Sequence, residues 1–321
     1  MLSSATARAA GKAGKQILKK QASTQASKTG SSRVSTIIFD VDDTLYDVSS
    51  GFTEHRNGEV IWRYMVERFG FESTETARAV RDKYFAIYHS TAKALTVAQT
   101  EGEFPPGAPA FDAGDMSRYW VDNLDYDKLW GRKDRDGAGS AGKNLGVEES
   151  KAAKSEFRDA LARCPARLVA FSNGPRSYVL KVLDNLGMLE LFGNNHKDGA
   201  FVWAVDDVLP HCKPEPEAFR AIFDKLAAAT MATATDNNDA AVIVRPEECV
   251  MVEDSMKNVR AAKALGMKTI LITGSVEEGR ILPEDAPSAE DPSVDVAFAT
   301  VEEMTTKLPG LWEDPPVFSP P

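Results

Sequence analysis

The chain has 321 residues, 43% hydrophobic and 27% charged, the composition of a globular protein with room for a core domain and an accessory one. A net charge of −10 argues against a nucleic-acid polymer as partner, but an anionic small molecule could still be met by a metal ion and a few local cations. Cys164, Cys212 and Cys249 are too scattered for a disulfide framework or a zinc site and fit small core residues in a reducing compartment, and no apolar run approaches the roughly 18 residues of a membrane span, so a soluble protein is expected.

Residues 1–33 carry Arg8, Lys12, Lys15, Lys19, Lys20, Lys28 and Arg33, no acidic residue, and many Ala, Ser, Thr and Gly. Such a segment cannot bury a core. It reads as a disordered basic tail or as an organellar transit peptide, which makes the expected location cytoplasmic or organellar. At residue 34 the pattern changes to the apolar, β-branched run Val34–Phe39, a buried parallel strand that ends in Asp40-Val41-Asp42-Asp43-Thr44. Residues 57–69 and 75–95 read as amphipathic helices, and the Gly/Pro/Asp-rich stretches 101–115 and 131–146 as loops.

From about residue 155 helices and strands alternate. Arg167–Phe171 reads as a strand ending at Ser172-Asn173-Gly174-Pro175, followed by a helix over 176–187 that Gly187 closes. Phe201–Val205 reads as a strand, 215–229 as a helix and 228–240 as a surface insertion. Cys249–Val252 is a strand running into Glu253-Asp254-Ser255, 256–265 a helix, and Lys268–Ile272 another strand. This order predicts an α/β fold, a doubly wound parallel sheet. There is no internal repeat.

Four polar motifs fall where an apolar strand gives way, and ligands of open α/β sheets bind at the carboxyl ends of strands. Asp40, Asp42 and Thr44 place two carboxylates and a hydroxyl after the first strand. A single aspartate there would read as a helix cap, but a repelling pair suits a cation better. Asp43 reads as a turn residue. Ser172-Asn173-Gly174 alone would be a helix N-terminus. Lys213 alone would be solvated, yet Pro214 and Pro216 flank it and a helix follows. Glu253 and Asp254 form a second carboxylate pair. Together these residues supply a nucleophile, an acid–base group, a hydroxyl donor, a cation and hard oxygen ligands, which is what phosphoryl transfer requires. His55, His89, His196 and His211 show no ligand spacing, and His211, near Lys213, is expected at the surface.

In this order and spacing the four motifs resemble those of the haloacid-dehalogenase-like (HAD) hydrolase superfamily, over about residues 34–310. The resemblance implies a Rossmann-like core of 34–46 and 160–310, a helical cap of 47–159 inserted after the first strand, and a C-terminal tail of 311–321. It implies a catalytic set of Asp40 as nucleophile, Asp42 as acid and base, Ser172 as a hydrogen-bond donor to phosphate and Lys213 as the cation steadying nucleophile and phosphate. Thr44, Asn173 and Gly174 are the implied substrate-binding residues. Mg²⁺ is implied on Asp40, the Asp42 backbone carbonyl and Asp254. Glu253 stands where the family commonly has glycine, and is read as a ligand or an orienter.

The family's dehalogenases lack the second aspartate of the first motif, so Asp42 favours phosphate esters. Phe39–Tyr46 running into Ser49-Ser50-Gly51, Tyr88–Leu95, and Val252–Asn258 are similar to the pyrimidine 5′-nucleotidase branch. The expectation is therefore a phosphatase acting on a small phosphorylated substrate, a pyrimidine nucleoside 5′-monophosphate. Ser49, Ser50, Asn57, Arg56 and the aromatic Tyr84, Phe85 and Tyr88 are its selectivity candidates, each aromatic having cap packing as its plainer role. The alternatives are a HAD phosphatase or phosphomutase acting on phosphoglycolate or a sugar phosphate, and a binding protein that kept the fold without turnover.

Overall fold

The computed structural model describes residues 32–130, 147–193, 201–233, 244–274 and 286–321. The expectations for 1–31, for the loop 131–146 and for most of the insertion 228–240 lie outside the described residues.

Six strands form a wholly parallel sheet: β1 Thr36–Phe39, β2 Arg167–Phe171, β3 Val202–Trp203, β4 Cys249–Glu253, β5 Lys268–Ile272 and β6 Val296–Phe298, in spatial order 3-2-1-4-5-6. That is the doubly wound order, whose switch point lies between β1 and β4. β1 is buried along its whole length because β2 and β4 flank it and helices cover both faces. Successive side chains alternate between two clusters. Ile37 and Phe39 face one cluster with Phe157, Val179 and Phe192, and Ile38 faces another with Phe219, Ile222 and Leu226.

The helices are α1 Ile61–Phe69, α2 Thr74–Tyr88, α3 Thr91–Thr100, α4 Ala113–Asn123, α5 Val147–Arg163, α6 Arg176–Asn185, α7 Pro216–Thr233 and α8 Met256–Ala264. The expected helix over 57–69 starts earlier and is interrupted. Phe52–His55 is helical, a wide π-type turn spans Arg56–Val60 with Gly58 off the helical path, and α1 follows. The expected single helix 75–95 is two. His89 takes a left-handed conformation at φ 49°, and the Ser90 hydroxyl accepts from the Lys93 amide to start α3. Asp112 caps α4 within the stretch read as loop, and the strand expected over 201–205 is only two residues long. Among the described residues no helix is long and apolar enough to cross a membrane.

A boundary between residues 159 and 160 falls inside α5. Phe157 on this helix is fully buried with its ring 6.2 Å from that of Phe39, and Lys154 is buried against the Leu45 carbonyl at 2.6 Å and the Glu302 carboxylate. By its packing α5 belongs with the sheet. α1 and α4 also contribute Tyr64, Met65 and Trp120 to the cluster that includes Phe39. Phe157→Ala should therefore cost about 3–5 kcal/mol in urea denaturation. A loss below about 1 kcal/mol would contradict packing of α5 on β1.

Candidate active site

Strand register decides which side chains meet. Phe39 pairs with Ala170 on β2 and with Val252 on β4, so Asp40, Ser172 and Glu253 emerge at adjacent strand ends on either side of the switch point. The Asp40 amide continues the ladder to the Val252 carbonyl at 2.9 Å, which fixes where its side chain begins. β3 ends one strand further out, and the chain after it returns to place Lys213, followed by a cis bond to Pro214.

Lys213 is 1% exposed. Its Nζ donates to Asp40 Oδ1 at 2.5 Å and to Glu253 Oε2 at 2.8 Å. Burial alone would discharge such an amine, but the two carboxylates hold it charged and move its pKa upward. Asn173 fixes the lysine's main chain from both sides, its Oδ1 accepting from the Lys213 amide at 2.9 Å and its Nδ2 donating to the Lys213 carbonyl at 2.8 Å. The Asn173 side chain, expected on substrate, is committed to this grip. Glu253 also accepts from the Ser255 amide at 3.2 Å.

Asp42 is held by a different set. Its Oδ1 pairs with Arg56 Nη1 at 2.6 Å and accepts from Tyr178 Oη at 2.5 Å and Tyr46 Oη at 2.8 Å, while Ser172 Oγ donates to Oδ2 at 3.3 Å. Burial would raise this carboxyl, but Arg56 and the hydrogen bonds from Arg56, Tyr178 and Tyr46 outweigh it and keep Asp42 below the usual carboxylate range. Ser172 in turn accepts from the Gly174 amide at 2.9 Å. A Cβ on Gly174 would lie 2.9 Å from the Tyr178 ring and 3.2 Å from Ser172 Oγ, so this position needs glycine. Gly174 therefore serves the geometry of Ser172 and Tyr178.

Asp40 shares the Lys213 ammonium with Glu253, and no ion pair is formed by Asp43 or Asp254 among the described residues. Asp40 is pushed up to about 8 by burial and by Glu253, against the pull of Lys213. Asp254 is raised by burial and by Glu253 and Asp40. Asp43 rises to about 7 through burial and Asp42, and its Oδ1 has no hydrogen-bond partner. Thr44 Oγ1 stands 3.4 Å from both Asp40 Oδ2 and Asp254 Oδ1. Oxygens of Asp40, Glu253 and Asp254 lie within 4.8 Å of one another, close enough to share an ion. The donors are all hard oxygens, the set that suits Mg²⁺ or Ca²⁺.

All the residues singled out in sequence are thus brought together: Asp40, Asp42, Thr44, Ser172, Asn173, Gly174, Lys213, Glu253 and Asp254. Tyr46 and Tyr178 were not among them. Tyr46 lies four residues beyond Asp42 at the end of the same motif, a spacing that could have found it, whereas Tyr178 reaches Asp42 only through tertiary packing. Arg56, read as a selectivity residue, is instead the partner of Asp42. His211 is half-buried beside Glu215, its Nδ1 2.9 Å from the carboxylate, and makes no hydrogen bond to this cluster.

Removing one partner of a buried ion pair strands the other charge. Arg56→Met should therefore destabilise the fold by about 3–5 kcal/mol, and adding Asp42→Asn should return much of that loss. Chemical denaturation of the four-protein cycle measures the coupling, and simple additivity would contradict a direct Arg56–Asp42 pair.

Comparison with known proteins bears on what such a site does. Phosphoglycolate phosphatase 1 of Pseudomonas aeruginosa is 26% identical over 165 residues, 45% of this chain and 52% of that protein, so the chain spans about half the length of that curated relative. Among solved structures, CbbY from Rhodobacter sphaeroides in complex with phosphate is 18% identical over 84% of this chain and 96% of its own, with a TM-score of 0.46. The L-2-haloacid dehalogenase from Xanthobacter autotrophicus is 15% identical over 85% and 98%, with a TM-score of 0.41. Residues 34–266, well over half of the chain, match the family model of the haloacid dehalogenase-like hydrolases. The chain belongs to the haloacid dehalogenase-like hydrolase family.

Proposed function

We propose that this hydrolase is a magnesium-dependent phosphatase that cleaves a small phosphate monoester through an aspartyl-phosphate on Asp40. The observation that carries the reading is the division of labour between two neighbouring carboxylates. Asp40 faces the Lys213 ammonium at 2.5 Å, while Asp42 sits in a separate cage of Arg56, Tyr178, Tyr46 and Ser172. Two carboxylates in unlike surroundings are what a nucleophile and an acid–base group require. Asp42 also separates this site from a dehalogenase, in which no alkoxide needs protonation.

In the first step an Asp40 oxygen attacks phosphorus. The bond from phosphorus to the ester oxygen breaks, and that oxygen leaves as an alcohol with a proton from Asp42. In the second step a water attacks the same phosphorus and gives its proton to Asp42. The bond from phosphorus to Asp40 breaks and inorganic phosphate departs. Lys213 offsets negative charge on Asp40 and on the transferring group, and Ser172 can donate to a phosphoryl oxygen. Asp40, Asp254 and the Asp42 carbonyl would hold Mg²⁺, which when bound neutralises charge on nucleophile and phosphate. Glu253, committed to Lys213, is assigned to orient that lysine. The cage of Arg56, Tyr178 and Tyr46 favours the carboxylate form of Asp42, the form needed by the second step. The first step needs its cage to loosen.

Two substrate classes compete. The motif resemblance points to pyrimidine nucleoside monophosphates, and the curated relative to phosphoglycolate. The aromatics first considered for base stacking are largely engaged. Tyr84 is buried with its hydroxyl on Glu101 at 2.5 Å, and the Phe85 face is covered by the Arg81 guanidinium at 3.7 Å. That weighs toward a small substrate without a base.

Asp40→Asn should remove phosphate release from every ester. Asp42→Asn should cost about 10²–10⁴-fold with alkyl phosphates. A mutant Asp40→Asn with near wild-type kcat would contradict the proposed mechanism. A panel of UMP, CMP, AMP, phosphoglycolate and glucose phosphates compared by kcat/KM decides the class, and a clear lead for UMP or CMP would restore the nucleotide reading.

The crowded carboxylates also set a pH dependence. Asp40 is raised from 3.8 to about 8, so between those values the metal-free folded state binds more protons than the unfolded one, and stability falls as pH rises. A bound cation reverses this, so the gain in Tm from Mg²⁺ over chelator should be larger at about pH 8 than at about pH 5.5. Equal gains at both pH values would place the ion elsewhere.

A further inference from the structure

Arg81, like Lys154, is a buried cation that the mechanism above does not use, and unlike Lys154 it has no largely buried carboxylate against it. It lies in the middle of α2 and is 5% exposed. Its Nη1 donates to Asp82 Oδ1 at 3.0 Å and its Nη2 to Thr91 Oγ1 at 3.3 Å, its plane covers the Phe85 ring, and its Nε has no hydrogen-bond partner. Asp82, its only acidic neighbour in contact among the described residues, is 42% exposed and also takes Arg78 at 3.3 Å. A buried guanidinium with a solvent-facing, shared counterion and an orphan donor is under-compensated. Burial outweighs Asp82 and draws its pKa down to about 10, and the nearby charge of Arg56 adds to the drop.

The position of Arg81 is as informative as its environment. Thr91, which it touches, follows Ser90, whose hydroxyl donates to the Asn173 carbonyl at 3.4 Å. Asn173 is the residue that grips Lys213, and Lys213 holds Asp40. Arg56, which Arg81 repels, holds Asp42. Arg81 is therefore linked to Asp42 through Arg56, and to Asp40 through the longer chain Thr91, Ser90, Asn173 and Lys213. The α2–α3 corner that carries it rests on the core loops, with the Cys212 thiol 3.6 Å from the Tyr88 carbonyl and Lys257 Nζ 2.7 Å from His89 Nε2. A second anion on the substrate, beyond its phosphate, is the ligand this placement suits.

We propose that Arg81 binds a carboxylate on the substrate, so that the preferred ester is a small phosphorylated carboxylic acid. The assignment rests on the phosphatase reading and deepens it. A guanidinium fork matches a carboxylate with two parallel hydrogen bonds, and the substrate would supply the counter-charge that the fold leaves out. Residues kept at a cost to stability are expected at binding sites.

The test compares 2-phosphoglycolate with ethyl phosphate, which has the same two-carbon chain without the carboxylate. Wild-type protein should favour phosphoglycolate, and Arg81→Met should lose roughly 10- to 100-fold more kcat/KM on it than on ethyl phosphate. Arg81→Lys should recover part of that difference, and the Tm of Arg81→Met should equal or exceed that of wild type, because an under-compensated buried charge has been removed. Parallel losses on both esters, or a lowered Tm with activity tracking it, would make Arg81 a structural residue and overturn the assignment. Hydrolysis of both esters by wild type without preference for the acid would also overturn it while leaving the phosphatase reading intact. Release of phosphate from no ester at all would remove the phosphatase reading itself.

Discussion

The structure turns on the cost of crowding carboxylates in a dry place. Asp40, Asp42, Asp43, Glu253 and Asp254 converge on the ends of two adjacent strands, Asp40 and Glu253 buried and the other three partly buried. Like charges so placed repel strongly, and each is also penalised by desolvation. Two buried cations divide the load. Lys213 takes Asp40 and Glu253, and Arg56 takes Asp42. Asp43 and Asp254 are left with raised pKa values, which is a demand for a cation built into the fold. In the proposed mechanism the same division separates the chemical roles, because one carboxylate stands beside an ammonium and the other inside a hydrogen-bonded cage.

The sheet makes this crowding possible. A wholly parallel sheet directs all its strand ends the same way, and the 3-2-1-4-5-6 order opens a crevice between β1 and β4. Loops from β2 and from beyond β3 then enter from one side with Ser172 and Lys213. Small supporting contacts hold them there: the amide of Asn173 on both sides of Lys213, and a glycine at 174 that lets Ser172 and Tyr178 approach. The helical segment from Phe52 onward contributes Arg56 and rests its α2–α3 corner on the same loops, so substrate access and acid–base chemistry share one set of contacts.

What could be read in the sequence followed from local signals. The apolar runs of β1, β2, β4 and β5 were long enough to see, and each polar motif announced itself by ending one. β3 was expected over Phe201–Val205 and is only two residues long, and β6, at three residues, offered too little pattern and was missed. The break at His89 was hidden because α2 and α3 are both amphipathic and a histidine gives no warning of a left-handed turn. The cage around Asp42 was the larger omission. Tyr46 and Tyr178 lie 132 positions apart, and only packing brings their hydroxyls onto one oxygen. Arg56 was noticed for its charge among the selectivity candidates, but its pairing with Asp42 left no local signal, while Tyr84 on Glu101 and Phe85 under Arg81 fit the packing role that was the plainer reading of these aromatics.

The central claim is that Asp40 is a covalent nucleophile steadied by Lys213. Rapid acid quench during turnover of a phosphate ester, followed by mass spectrometry of the peptide containing Asp40, tests it directly. The account predicts a phosphorylated Asp40 that appears within the first turnover and disappears on base treatment, accumulating further when Asp42→Asn slows its hydrolysis. Multiple turnover with an unmodified Asp40 in both proteins, or phosphate found on another residue, would contradict it.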